Sequence, residues 1–159
     1  MIILGIDPGT AIVGFGLIEK EAKSQKLKLA DYGCIETSNK LSDAERLKII
    51  HKELDSLIKK NKPDIVAVED IFFFKNLKTA IKVSQARGVI LFTVAENNIP
   101  LMEFTPLQIK QAVACYGRAE KRQVQIMIKT LLGLKEIPKP DDAADALAIA
   151  VCCAHSAKI

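Results

Sequence analysis

Apolar and polar positions divide the chain into two regimes. Up to Thr37, short apolar runs are broken by polar turns, whereas beyond Ser42 helical periodicity alternates with two further apolar runs. Three strand-like segments come first: Ile2 to Asp7, Val13 to Glu19 and Lys26 to Thr37. The polar turn around Ala22 to Gln25 makes antiparallel hairpins of them. Ser42 and Glu45 have capping-box spacing, and Leu47, Ile50, Leu54, Leu57 and Ile58 then recur at helical period until Pro63. Ile65 to Glu69 reads as a short buried strand. A loop carrying Phe72, Phe73, Phe74 and Lys75 precedes a helix from about Thr79 to Asn97. That helix is apolar on more than one side, so it is either deeply buried or shared with a partner subunit. Leu101 to Phe104 forms the last strand. Three helices follow. Thr105-Pro106 opens one that Gly117 closes, the next runs from Glu120 to Leu132, and Asp141 or Asp142 opens the last after Pro138 and Pro140.

This order predicts an α/β fold: a mixed five-stranded sheet, its first three strands antiparallel, with helices on both faces. No repeat or composition break interrupts it, so residues 1–159 are expected to form a single domain. A hydrophobic content of 49% with 26% charged residues excludes a disordered chain. The formal charge of +4 is compatible with a polyanionic partner, but only the placement of the charges decides. Cys34, Cys115, Cys152 and Cys153 lack zinc-finger spacing and read as free thiols in a reducing compartment. The first apolar segment is too short for a secretory leader and no run approaches a membrane span, so a soluble, cytoplasmic protein is expected. Gly14 and Gly16 lie in a strand hairpin and not in a phosphate loop, so no nucleotide fingerprint is present.

The candidate chemistry lies in carboxylates. Asp7 stands where the first strand breaks into Pro8-Gly9-Thr10, a rigid place at the edge of the core. Aspartate is common in turns, so taken alone it is equally a surface turn residue. Glu69 ends the fourth strand, and adjacent parallel strands would bring it to the same edge. Asp142 and Asp145, spaced i, i+3, share a helix face, and the alanines around them let that helix approach a sheet. Capping and dipole compensation account well for Asp141 and Asp142, less well for Asp145, which precedes a buried apolar stretch. No cationic side chain adjoins any of the four acids in sequence. Such like charges repel unless a cation intervenes, and oxygen ligands without useful His or Cys favour Mg²⁺ or Mn²⁺ over zinc. Two such ions can clamp a phosphodiester. Asp70 and Asp141 leave a one-residue ambiguity, and strand alternation favours Glu69.

Lys110, Arg118, Lys121 and Arg122 gather around Gly117, while Lys75 and Lys78 flank the Phe loop. A solvated face is the ordinary account of such charges. Lys121 and Arg122, however, sit at a helix start where they oppose the macrodipole, which favours phosphate binding. One Phe ring serves as a hydrophobic plug, and an exposed Phe72 or Phe73 would stack on an unpaired base, worth ~1–3 kcal/mol. His51 and His155 read as structural.

Together, Gly5-Ile6-Asp7-Pro8-Gly9-Thr10, Val68-Glu69-Asp70-Ile71-Phe72, Gln85-Ala86-Arg87-Gly88 and Asp142-Ala143-Ala144-Asp145-Ala146-Leu147-Ala148 resemble the RuvC family of Holliday junction resolvases. The match runs in family order from Met1 to about His155. The resemblance implies a ribonuclease-H-like fold, a homodimer, and RuvA and RuvB as partners. It implies Mg²⁺-dependent nicking of two like-polarity strands of a four-way DNA junction, with two ions per subunit. By motif it places metal-binding and catalytic acids at Asp7, Glu69, Asp142 and Asp145, a base-stacking ring at Phe72, and essential lysines at Lys110 and Lys121. Three rivals stand beside this reading. An actin-like or sugar-kinase ATPase would need two such domains, a non-catalytic junction binder would be expected to lose acids, and a related nuclease would act on other branched or damaged DNA.

Overall fold

A computed structural model describes residues 1–70 and 77–157. Strands β1 (Ile2–Asp7), β2 (Ile12–Lys20) and β3 (Leu27–Glu36) pair antiparallel, and β4 (Ile65–Glu69) and β5 (Leu101–Phe104) continue the sheet in parallel. The spatial order is β3-β2-β1-β4-β5. Helices α1 (Asp43–Asn61) and α2 (Leu77–Glu96) supply the core on one face; α3 (Pro106–Ala114), α4 (Lys121–Leu131) and α5 (Asp141–Ser156) supply it on the other. The mixed sheet with helices on both faces is therefore as the sequence predicts. Strand β1 reads as an uninterrupted apolar run because both of its faces are covered. Leu4 and Ile6 enter the α1–α2 core and Ile3 enters the α3–α5 core, alternating with the pleat.

Local signals set most boundaries. At the start of α1 the Ser42 N–H donates to Glu45 Oε2 at 2.8 Å, and Ser42 Oγ accepts from the Glu45 N–H at 3.3 Å. Lys62, at φ 46, ends that helix just before Pro63. Helix α2 is described from Leu77 to Glu96. One of its stripes is core, with Ala86, Ile90 and Val94 fully buried, while Ile81 and Phe92 are exposed. The closing residue of α3 differs from expectation: Cys115, at φ 54, caps the helix, not Gly117. Gly117 lies two residues beyond that cap, beside the exposed Leu107 side chain. Among the described residues, no helix is long and apolar enough to cross a membrane.

Helix α5 is buried from Ala143 to Ala154 with the sole exception of Asp145. It lies directly on β1 and β2 because the floor there is glycine. A Cβ on Gly5 would collide with the Ala146 carbonyl, one on Gly14 with the Asp142 carbonyl, and one on Gly16 would come within 2.8 Å of Leu147 Cα. At the far end the buried Lys20 ammonium donates to the Ala154 carbonyl at 2.6 Å, where a cation also suits the helix dipole. Gly5→Ala should therefore lift α5 from the sheet and destabilise the protein by about 1–3 kcal/mol. Urea unfolding measures this, and an unchanged midpoint would mean that α5 moves freely on its seat.

Candidate active site

The sheet and its glycine seat bring acids from three elements to one edge. Ile6 pairs with Val68, so Asp7 and Glu69, the next residues, leave adjacent parallel strands side by side. Gly14, opposite Asp7 in the β1–β2 ladder, lies beneath the Asp142 carbonyl, which starts α5 at the same edge. Asp145 follows one turn later. Their proximity appears in the protonation energetics. Burial, and then the charges of Glu69, Asp145 and Asp142, push the Asp7 carboxyl from 3.8 to about 8. Burial, and then the Asp145 charge, also raise Glu69; burial similarly raises Asp145 against the opposing pull of Lys121. A cavity of about 240 Å³ opens here, lined by Glu69, Asp145, Lys110 and Lys121 and walled by Ile109 and Val124.

A cation stands beside the acids, supplied by a residue that is not their neighbour in sequence. Lys121 Nζ donates to Asp145 Oδ2 at 2.8 Å and lies 3.4 Å from Asp141 Oδ2. It comes from the start of α4, 24 residues away in sequence, so the sequence marks Lys121 as a phosphate-binding lysine without showing that Asp145 is its partner. The two ambiguous acids have other engagements. Asp141 accepts from Gln125 Nε2 at 3.0 Å, and Asp70 pairs with Arg87 at 3.2 Å. Arg87 also pairs with Glu103, and its Nε–H donates to the Glu69 carbonyl at 3.4 Å, bracing the end of β4. Arg87 belongs to a quoted motif, but sequence reasoning gave it no role; a cation midway along a helix apolar on more than one side was the available signal. Arg118 and Arg122 are exposed and do not line the cavity. Phe72, Phe73 and Lys75 lie outside the described residues, and Lys78 is placed only as a member of α2. His51 meets Thr93 Oγ1 at 3.0 Å and His155 meets the Ala112 carbonyl at 3.1 Å, both structural positions.

Among the described residues, no three His, Cys, Asp or Glu side chains are gathered so as to hold a metal ion as they stand. The donor chemistry nevertheless fits a hard divalent cation. The acids offer only oxygen, and burial with mutual repulsion leaves Asp7 protonated near neutrality even with the Lys121 charge nearby.

The family model for RuvC, crossover junction endodeoxyribonuclease, matches residues 3–153. The chain belongs to the RuvC family. It is 57% identical to the crossover junction endodeoxyribonuclease RuvC of Halothermothrix orenii over 159 residues, all of this chain and 95% of that one. The fold matches Thermus thermophilus RuvC, solved in complex with a Holliday junction substrate, with a TM-score of 0.88 at 35% identity. That match covers 98% of this chain and 94% of the other. The yeast mitochondrial Holliday junction resolvase Ydc2 shares the fold at 15% identity, with a TM-score of 0.69 over 96% of this chain and 78% of that one.

The raised Asp7 value fixes a sign. Between pH 3.8 and about 8 the folded protein keeps a proton that the unfolded chain has lost, so stability falls as pH rises through that window. Asp7→Asn removes this cost. Its melting temperature without metal should match wild type near pH 4 and exceed it increasingly toward pH 8. A gain of about 2 kcal/mol corresponds to roughly 4–8 °C in a chain of this size. A difference independent of pH, read by thermal melts, would remove burial of the charge as its cause.

Proposed function

We propose that the chain resolves Holliday junctions, in homologous recombination and DNA repair, by paired Mg²⁺-dependent nicking of symmetric strands. The observation that carries this is the meeting of Asp7, Glu69 and Asp145 in a shared field at the sheet edge, with Asp142 adding its charge, in a chain of this family. Those four acids would hold the metal, two ions per subunit, with Mn²⁺ a substitute. Bound there, the cation would activate water and neutralise charge on the scissile phosphate.

The chain's own residues supply the remainder. The strand ends and the seated α5 hold the acids rigid, which favours preorganised electrostatics over movement during reaction. Lys110 and Lys121 line the cavity from a different layer, where either ammonium can reach a phosphate oxygen. Ile109 and Val124 limit water on that side. Arg118, Arg122, Lys75 and Lys78 would hold flanking phosphates, and Phe72 or Phe73 would stack on an unpaired base. The work belongs in the cytoplasm, alongside a RuvA–RuvB branch-migration complex.

Two cuts require two sites, and a two-fold axis supplies them. The exposed Ile81 and Phe92 on α2 are the apolar surface that supports a homodimer. Sedimentation should give a dimer at micromolar concentration, and Ile81→Asp with Phe92→Asp should give a monomer that has lost paired cleavage. A monomeric wild type would overturn this part of the reading.

Activity is tested on a synthetic mobile junction beside linear duplex, with and without Mg²⁺. Wild type should nick the junction only, in symmetric pairs that ligase reseals. Asp7→Asn should bind it with undiminished affinity and cut at background level. Mg²⁺-dependent cleavage retained by that variant would take Asp7 out of the chemistry.

A further inference from the structure

The turn that carries Asp7 is held from outside the site by a directional hydrogen-bond chain. Thr37, immediately after β3, grips two successive carbonyls of that turn. Its N–H donates to the Ala11 carbonyl at 2.9 Å, and its hydroxyl donates to the Thr10 carbonyl at 2.5 Å. Arg46, in the first turns of α1, donates from Nε to Thr37 Oγ1 at 2.8 Å. Both side chains are buried, at 9% exposure. A guanidinium donates and never accepts, so the Thr37 hydroxyl has no choice of direction: it receives from Arg46 and must give its own proton to Thr10. Donation by a cation polarises that hydroxyl and strengthens its bond to the carbonyl.

Core packing alone does not account for this arrangement. A buried guanidinium is costly to desolvate, and here its Nε–H is spent on a neutral hydroxyl where a carboxylate would repay it better. The chain of bonds ends on the backbone three residues beyond Asp7, in the turn whose course sets where the β1 carboxylate leaves the sheet. The opposite side of that segment is fixed by α5 through Gly5 and Gly14. We infer that Arg46 and Thr37 are positioning residues for Asp7: a buried relay that fixes the Asp7–Ala11 turn against the repulsion among the site's acids.

This rests on the nuclease reading above. The test compares Thr37→Val, Arg46→Met, their double variant and Thr37→Ser with wild type. It measures single-turnover cleavage of a four-way junction in Mg²⁺, junction affinity with Ca²⁺ in its place, Mn²⁺ binding by electron paramagnetic resonance, and melting temperature. Thr37→Val and Arg46→Met should each slow cleavage and weaken Mn²⁺ binding by about 10–100-fold, the range for residues that orient a metal's ligands. Junction affinity should be unchanged. Thr37→Ser, which keeps the hydroxyl, should cut at the wild-type rate. The double variant should be no slower than the worse single one, because the two groups act in series.

Wild-type cleavage by either single variant, or a serine variant as slow as the valine one, would overturn the relay. A parallel loss of junction affinity and cleavage would reduce it to a folding role and overturn it equally. Should the valine variant not melt cooperatively, Arg46→Met decides, since it leaves Thr37 in place. A wild type that cuts no junction would sink the nuclease reading instead, and the Mn²⁺ comparison would still judge the relay.

Discussion

The contact between the backbone of α5 and a glycine floor on β1 and β2 is the constraint on which the site depends. Helices usually rest on sheets through side chains, which set a separation. Here Gly5, Gly14 and Gly16 remove them from the sheet, and Ala143, Ala146 and Ala150 keep them short on the helix. The helix therefore comes down until its own carbonyls would touch any added Cβ. Only at that separation do carboxylates from the first turns of α5 share a field with those at the ends of β1 and β4. The lysine that bonds the Ala154 carbonyl fixes the same helix at its other end, so its lateral position is set twice.

What this geometry costs is visible in Asp7. A carboxyl held at about 8 is one that the fold would keep neutral, and the largest contribution is burial itself, before any neighbour is counted. The fold thus stores an electrostatic demand that either a proton on Asp7 or a cation relieves. Lys121 answers part of it by bonding Asp145, and is counted among the influences that lower Asp7. Perturbations of this size, combining desolvation with specific charges in a cleft, are characteristic of sites built for chemistry and are unfavourable for stability.

The fold was largely legible because its signals are local. Period-2 and period-3.6 patterns gave the element order, and the Ser42–Glu45 capping box marked the start of α1. The strand-end acids were also legible, since Asp7 and Glu69 each terminate an apolar run. Features that depend on two distant segments were not. The Lys121–Asp145 pairing, the Arg87 brace and the glycine seat join residues far apart in sequence; Lys121 and Asp145 are each marked by the sequence, but their contact is not, and the hairpin glycines look ordinary in isolation. The α3 terminus failed differently: Gly117 has the usual chemistry of a helix stop, yet the exposed Cys115 adopts the left-handed conformation, its carbonyl accepting from Gln111 Nε2 one turn back at 3.2 Å.

The acids and the cations also belong to different layers, and this separates their behaviour. Asp7 and Glu69 ride on the central strands and Asp142 and Asp145 on the helix seated against them, so the anions move only if the sheet does. Lys110 and Lys121 come from α3 and α4, which reach the sheet core largely across α5 and otherwise lie outside it. A displacement of that outer layer would alter the cation supply while leaving every carboxylate in place. Rigidity and adjustability are thus assigned to opposite charges, and a substitution in the α3–α4 packing is expected to perturb electrostatics where one in the glycine seat perturbs geometry.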